Sequence, residues 1–321
     1  MGKPCQDCSS SFRLMTRGDI VVSIIADGVG SCQYAEYGSS WAVKYAEEYI
    51  RHHYVDNHLL NYESILKEAF HYALDSIITN SKAASSEELI QYDTTLTIGI
   101  YDGDDLYYGH SGDGGIIGLT DRGEYVKVTE PQKGSDGISV LPLRLSEYWT
   151  FGTISGLSSV LLATDGIYDS FLPYLLKYEP VQIYVPLISY FMDNNDIQVS
   201  IDNEEELSND IKDYLLSSSC NTIQDDMTVA VMINSDKLPE KQNPEYYAEP
   251  NWMALKNKWD SKVYSYVPNN KSESPLSERG ADKSDIATIA QGEIIPNKSP
   301  NESSDAKANK THSAINDLKE E

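Results

Sequence analysis

Aspartates stand at the ends of several short apolar runs in this sequence. Asp27 and Asp165 each follow such a run and precede a glycine, whereas Asp225 comes just before another run. Because one antiparallel strand ends beside the start of its neighbour, we expect these three carboxylates to meet at one edge of a sheet. We expect Asp113, at the tip of a hairpin, to join them.

Carboxylates that converge in this way remain ionised together only beside a compensating cation. Oxygen ligands without nearby His or Cys suit hard ions such as Mg²⁺ or Mn²⁺. Gly28 lets the backbone come close, so its carbonyl oxygen is a further candidate ligand. Two such ions lower the pKa of a shared water and direct it at a phosphoryl group. Because Asp-Gly is also a common turn dipeptide, the prediction rests on the whole set of aspartates.

The elements that would position these residues are a mixture of strands and helices. Compact β-branched or alternating runs predict strands, and apolar residues near a 3.6-residue period predict helices. Strands grouped as hairpins, with helices between the groups, indicate an α+β fold with antiparallel sheets. The predicted strands are 21–26, 94–101, 106–111, 116–120, 125–128, 159–163 and 227–233, and the predicted helices are 37–54, 62–79, 180–192, 204–216 and 251–262.

The composition excludes several classes of protein. The 321 residues carry a formal net charge of −25, which argues against nucleic acid and anionic lipid as partners, since both attract basic surfaces. No apolar run reaches the ~18 residues of a membrane span, and no signal peptide is visible. Four cysteines in a chain of this length indicate a reducing cytoplasm and not a disulfide scaffold.

The C-terminal stretch differs from the rest in composition. From residue 268 onward there is no aromatic residue, while Ser, Asn, Lys and Glu abound. Such a segment cannot bury enough apolar surface to offset the entropy lost on ordering. We therefore divide the chain into a catalytic domain at 1–235, an extension with a short helix at 236–267, and a disordered polar tail at 268–321.

Six short segments follow one another in a recognisable order. They are Cys5-Gln6-Asp7, Ala26-Asp27-Gly28-Val29-Gly30, Asp93-Thr94-Thr95-Leu96-Thr97, Gly112-Asp113-Gly114, Thr164-Asp165-Gly166 and Asp225-Asp226-Met227-Thr228-Val229. Together they resemble the motifs of the metal-dependent protein phosphatases of type 2C, and most of all the bacterial branch with a Pro-Cys-Gln-Asp start. The likeness spans nearly all of the part that we expect to fold.

The resemblance implies a sandwich of two antiparallel β-sheets flanked by pairs of α-helices. It also implies hydrolysis of phosphoserine and phosphothreonine in proteins, by direct attack of activated water and without a phospho-enzyme. Two Mn²⁺ or Mg²⁺ ions, with a third that binds more weakly, would be the cofactors. The implied site residues are Asp27 as the ligand shared by both ions, Gly28 through its carbonyl, Asp165 and Asp225 on one ion, Asp7 through water, and Asp113 with Asp165 on the third ion.

Two positions depart from the family pattern. Members that carry an arginine for the substrate phosphate place it where this chain has Gly2, so Lys3 and, after a Gly/Ser loop, Arg144 are the remaining candidates. Lysine is a point charge and lacks the bidentate fork of arginine. Val29 stands where some eukaryotic members have a histidine acid, so water would protonate the leaving group.

The sequence thus predicts a cytoplasmic, monomeric serine/threonine phosphoprotein phosphatase, with phosphoproteins and a cognate kinase as partners. Two alternatives stay open: a catalytically weak module that binds phosphoproteins or acts as a scaffold, and a hydrolase of small phosphate esters. We expect Cys5 and Cys8 to be ordinary reduced thiols. We expect the histidines, including His110, to be surface or core residues without a catalytic role.

Overall fold

The computed structural model has two antiparallel sheets at its centre. It describes residues 4–15, 19–54, 61–192 and 225–265, and a few isolated positions between 209 and 216. The five-stranded sheet contains, in spatial order, β1 (Asp7–Met15), β2 (Asp19–Asp27), β3 (Leu96–Tyr101), β4 (Leu106–Ser111) and β7 (Thr150–Ile154). The four-stranded sheet contains β6 (Tyr125–Lys127), β5 (Gly115–Thr120), β8 (Leu157–Ala163) and β9 (Val229–Ile233).

The two sheets pack face to face through one apolar layer. Successive side chains of a strand point to opposite faces, so each central strand supplies residues to two layers. In β8, Val160 and Leu162 join the layer between the sheets, whereas Leu161 and Ala163 face the helices. Burial on both faces explains why β8 is apolar almost throughout, with every residue buried.

Helices cover the outer face of each sheet. Helices α1 (Ala35–His53) and α2 (Tyr62–Ser81) pack on the five-stranded sheet, and α3 (Ser86–Ile90) follows them. Helices α4 (Asp165–Phe171) and α5 (Val185–Met192) pack on the four-stranded sheet. Helix α6 (Trp252–Ser265) lies against the turn at 174–176. None of the described helices is both long and apolar enough to cross a membrane.

The predicted α+β sandwich is confirmed, and each predicted strand corresponds to an observed one. The predicted hairpin around Asp113 is wrong, because β4 and β5 belong to different sheets. Gly112 has φ +124°, a conformation that glycine tolerates, and the chain turns there from one sheet to the other. Strands β1 and β7 and helices α3 and α4 were not predicted. The helix predicted at 180–192 begins only at Val185.

Other expectations fall wholly or largely outside the described residues. The helix predicted at 204–216 is described only at isolated positions, and the tail at 268–321 is not described at all. The domain boundaries therefore stay a prediction. Among the described cysteines, Cys5, Cys8 and Cys32 are free thiols, as expected.

His110 is a fully buried titratable residue on β4. Its Nδ1 lies 2.9 Å from Thr97 Oγ1 on the neighbouring strand. Burial lowers the pKa of His110 from 6.5 to about 4, because a buried imidazolium would lose its hydration. The expectation that this histidine is a core residue is confirmed.

We expect acid to destabilise the protein through His110. Because its folded pKa lies below its unfolded pKa, its contribution to stability is present above pH 6.5 and is lost as the pH falls towards about 4. Between pH 7 and pH 5 the free energy of unfolding should fall by on the order of 2 kcal/mol from this group. Denaturant unfolding of His110→Gln should show a weaker pH dependence than wild type, whereas His52→Gln, at an exposed site, should match wild type. An unchanged pH dependence in His110→Gln would contradict the assignment.

Candidate metal centre

The centre begins with two aspartates on neighbouring strands. Asp7, the first residue of β1, lies directly opposite Asp27, the last residue of β2. Asp7 Oδ2 accepts hydrogen bonds from the hydroxyls of Thr164, at 2.8 Å, and Thr228, at 2.7 Å. Thr164 directly follows β8 and Thr228 directly precedes β9, so the Asp7 carboxylate joins the two sheets.

The four-stranded sheet contributes the second group of aspartates. Thr164 and Thr228 are hydrogen bonded to each other through Thr164 N to Thr228 O, at 3.1 Å, and Thr228 N to Thr164 Oγ1, at 2.9 Å. This pairing sets Asp165, at the start of α4, near the segment that holds Asp225 and Asp226. The expectation that the carboxylates meet at the edge of one sheet was therefore wrong. They come from two packed sheets, at the same end of both.

Asp226 ties the second group to the first. Its Oδ2 accepts a 2.6 Å hydrogen bond from the backbone N–H of Gln6, immediately before Asp7. Asp225 is exposed, and its Oδ1 accepts the backbone N–H of Asp226 at 3.0 Å. The predicted ligand Asp225 thus lies at the solvent side of the centre, and its neighbour Asp226 fixes the start of β1.

The Asp27 carboxyl lies close enough to the carboxyls of Asp7 and Asp165 for their charges to act on it. Burial, followed by repulsion from Asp7 and Asp165, raises the pKa of Asp27 to about 10. Burial also raises the pKa of Asp7, although its two threonine partners oppose the shift. A group of this kind requires a proton or a cation at neutral pH.

Asp113 is also close enough to Asp165 to be affected by its charge. Burial, with repulsion from Asp165 and some relief from Lys133, raises the pKa of Asp113 to about 6. Its Oδ2 lies 3.8 Å from Lys133 Nζ. The charge of Asp165 thus acts on both Asp27 and Asp113, and the pairing of Asp113 with Asp165 on one ion stays a prediction.

Backbone contacts fix the loop after Asp27. The carbonyl of Asp27 accepts from Thr95 N at 2.8 Å and from Thr94 Oγ1 at 2.9 Å, and Asp27 N donates to Thr95 Oγ1. Gly28 N donates to Gln6 O at 3.0 Å, and Gly28 pairs with Thr94 as a β-bridge. The threonines of the third motif therefore hold the main chain of the second.

Of the two side chains predicted to bind the substrate phosphate, the structure describes Arg144 but not Lys3. Arg144 forms a bidentate ion pair with Asp93, with Nε and Nη2 at 2.8 and 2.9 Å from the two carboxylate oxygens. Two of its N–H groups are thus committed to the protein itself. Lys3 lies outside the described residues.

The raised pKa of Cys5, which results mainly from burial, leaves this thiol neutral beside the aspartates.

Several residues of the centre were not predicted, namely Thr164, Thr228, Gly166 and, as a structural anchor, Asp226. At Gly166 an added Cβ would lie 2.0 Å from the carbonyl oxygen of Asp226, so only glycine lets α4 start this close to the approach to β9. The segments Thr-Asp-Gly and Asp-Asp-Met-Thr contained these residues, but which threonine meets which aspartate depends on contacts across the sandwich.

A profile of the protein phosphatase 2C family matches residues 1–215. The chain belongs to the protein phosphatase 2C family. No curated protein sequence matches it significantly.

Solved structures of the family share the fold of this member. A bacterial serine phosphatase is 12% identical, with a TM-score of 0.50, and the match covers 75% of this chain and 94% of that chain. The serine/threonine phosphatase Stp1 from Staphylococcus aureus is also 12% identical, with a TM-score of 0.50, covering 72% of this chain and 89% of that one. At such identity the likeness concerns the fold alone.

The residues of this phosphatase 2C member fit a hard divalent cation. Asp7 Oδ1 and Asp165 Oδ1 are buried and have no hydrogen-bond partner, so each offers a free oxygen. In the described part of the chain, no three His, Cys, Asp or Glu side chains are arranged so that they could together hold a metal ion. The carboxylates near Asp27 repel one another, and a bound cation would offset that repulsion.

We expect Asp27→Asn to separate the metal requirement from folding. In chelator, the melting temperature should stay at or above the wild-type value, because a neutral amide relieves the repulsion that raises the Asp27 pKa. Mn²⁺ should raise the melting temperature of wild type, by linkage, but not that of the variant. Asp75→Asn, at an exposed position on α2, is the matched control and should respond to Mn²⁺ as wild type does. Equal Mn²⁺ shifts in Asp27→Asn and wild type would remove Asp27 from the metal site.

We expect Gly166→Ala to disturb the centre through packing. The new methyl would meet the Asp226 carbonyl, so the approach to β9 must shift, at a cost of about 1–3 kcal/mol in the free energy of unfolding. Gly30→Ala, where only the Gln6 side chain lies within 4 Å at 3.7 Å, should cost less. Denaturant unfolding of both variants measures the difference, and equal costs would show that the close approach at Gly166 is relieved without strain.

Proposed function

We propose that this chain is a metal-dependent phosphatase of phosphoserine and phosphothreonine in proteins. The observation that carries the proposal is the position of Asp27, half-buried and close to the charges of Asp7 and Asp165, in a member of the protein phosphatase 2C family. A structural role alone does not account for such a group of carboxylates, because burying mutually repelling carboxylates lowers the stability of the fold.

The proposed ligands are the oxygens that the fold brings to this end of the sheets. Asp27 would be shared by two Mn²⁺ or Mg²⁺ ions, with the Gly28 carbonyl, Asp165 and Asp225 completing the set. Such ions, when bound, lower the pKa of water and withdraw charge from a phosphoryl group. Asp113 and Asp165 would hold a third, weaker ion.

The chain's own residues supply orientation. Asp7 is locked by two threonine hydroxyls, so its free Oδ1 is held in one direction, towards the centre. Gln6 and Asp226 fix the strand start that carries Asp7. Preorganised groups of this kind reduce the entropy that a reaction must lose, provided that the substrate phosphate arrives in the same geometry.

The phosphate-binding cation stays a proposal. The Asp93 pair leaves part of the Arg144 guanidinium unused, and that edge could meet a phosphate oxygen. A cognate kinase, a monomeric state and a cytoplasmic location are part of the same proposal and rest on the sequence alone.

The scaffold alternative is the less favoured one. A module that only binds phosphoproteins does not need Asp7, Asp27 and Asp165 close together, since those carboxylates would repel a phosphate without metal. A hydrolase of small phosphate esters would use the same centre and differ only in its substrate.

We expect Mn²⁺-dependent release of phosphate from a phosphothreonine peptide, and a lower kcat/KM for p-nitrophenyl phosphate. Asp27→Asn should lose at least about a hundredfold in kcat/KM, because removing a shared ligand weakens both ions. Asp75→Asn should retain wild-type rates. Assays of phosphate release with and without Mn²⁺ provide the measurement.

Each of the other possible results of these assays leads to a different conclusion. Turnover of p-nitrophenyl phosphate but not of peptides would favour the small-ester hydrolase. Peptide binding without any Mn²⁺-dependent turnover would favour the scaffold. Equal activity in wild type and Asp27→Asn would reject the centre described above.

A further inference from the structure

Four aromatic side chains form a continuous surface at the start of α1. Tyr34 stacks on Tyr92 with ring centroids 5.0 Å apart, Trp41 stacks on the same Tyr92 at 5.6 Å, and Tyr37 contacts Trp41 at 5.8 Å. Tyr34 is 37% exposed and Tyr37 is 51% exposed, whereas Trp41 and Tyr92 are half-buried. We call these four residues the aromatic surface.

The aromatic surface adjoins the metal centre. Tyr92 directly precedes Asp93, whose carbonyl accepts from Val29 N at 2.9 Å, and Val29 is two residues beyond Asp27. Tyr34 N donates to Gln91 O at 2.9 Å, which fixes the start of α1 to the same segment. A protein segment with its phosphate at the centre can therefore extend over these rings.

The surroundings of the aromatic surface are acidic. Glu36 lies in the first turn of α1, and Glu87 and Glu88 lie in the first turn of α3. The pKa of Tyr92 is raised, first by burial and then by neighbours that include Tyr34 and Glu88, so the Glu88 charge is close to this ring. Arg144 is committed to Asp93. The cation–ring contacts among the described residues involve other rings, such as Lys44 above Tyr45.

We propose that the aromatic surface binds an arginine side chain of the substrate, in the segment that flanks the phosphorylated serine or threonine. A guanidinium is planar, stacks on aromatic faces and stays charged, so it matches exposed tyrosine rings beside glutamates. The net charge of −25 attracts basic segments in general, and the aromatic surface supplies the local discrimination. This inference rests on the proposed function, since it names the substrate class of the same centre.

Arginine fits this surface better than the other occupants of an aromatic patch. An apolar side chain would gain from the rings but nothing from Glu88. A lysine would gain from both but lacks the flat face that stacks. An acidic residue would be repelled by the glutamates and by the chain as a whole.

The test uses phosphothreonine peptides that carry one arginine within three residues of the phosphothreonine, on either side. Each peptide is matched with one that has citrulline, which keeps the shape and removes the charge, and with one that has leucine. For the best position, we expect kcat/KM to be about three- to fivefold higher for arginine than for citrulline, as a partly exposed cation–π contact allows. The same preference should appear in Kd, measured by fluorescence anisotropy with Asp27→Asn.

Variants distinguish the aromatic surface from general attraction. Tyr37→Leu should bring the ratio of arginine to citrulline close to one, because leucine keeps apolar area but has no ring. Glu88→Gln should lower the ratio in part. Tyr190→Leu, at a 49% exposed tyrosine on α5 against the other sheet, should keep the wild-type ratio. A ratio that Tyr37→Leu leaves unchanged would overturn the proposal and assign the preference to net charge.

Failure of this proposal is distinguishable from failure of the proposed function. Equal kcat/KM for the arginine, citrulline and leucine peptides, with normal Mn²⁺-dependent turnover, would overturn the arginine site and leave the phosphatase intact. Absence of turnover on every peptide would reject the phosphatase activity. The binding ratio in Asp27→Asn would then decide on the arginine site by itself.

Discussion

The structure depends on how several carboxylates are kept together against their mutual repulsion. Asp27 is half-buried, and burial together with the charges of Asp7 and Asp165 raises its pKa to about 10. The fold opposes this repulsion with neutral donors, since two threonine hydroxyls and one backbone N–H bind Asp7 and Asp226. These hydrogen bonds join the two sheets. The packing of the sandwich and the assembly of the centre therefore depend on the same contacts.

The position of the carboxylates at strand ends follows from the same constraint. A charged side chain in the middle of β2 or β8 would enter an apolar layer, where burial without a partner is costly. At the end of a strand it meets water on one side and the opposite sheet on the other. Because these strand ends lie at the same end of the two sheets, five chain segments place their aspartates near one another while the apolar layers stay intact.

Much of the fold and the centre could be predicted from the sequence. The aspartates Asp27, Asp113 and Asp165 were predicted because each lies in a turn dipeptide beside an apolar run, which is a local signal. The bond between Asp7 and Thr228 joins residues 221 positions apart, and no local pattern contains it. The same holds for β4 and β5, which look like a hairpin in sequence but separate at Gly112 into two sheets.

The missed elements have a local explanation of a different kind. Strand β1 contains three consecutive serines, and β7 is a short edge strand with little burial, so neither has the apolar alternation that predicts a strand. Yet β1 carries Asp7, and Gln6, immediately before it, donates a backbone hydrogen bond to the Asp226 carboxylate. Its pairing with β2 supplies the stability that its composition lacks, because the register that sets Asp7 opposite Asp27 also buries Phe12 and Leu14 against the helices. The strand signal in the sequence is therefore weak for β1, although the centre depends on the register of β1 with β2.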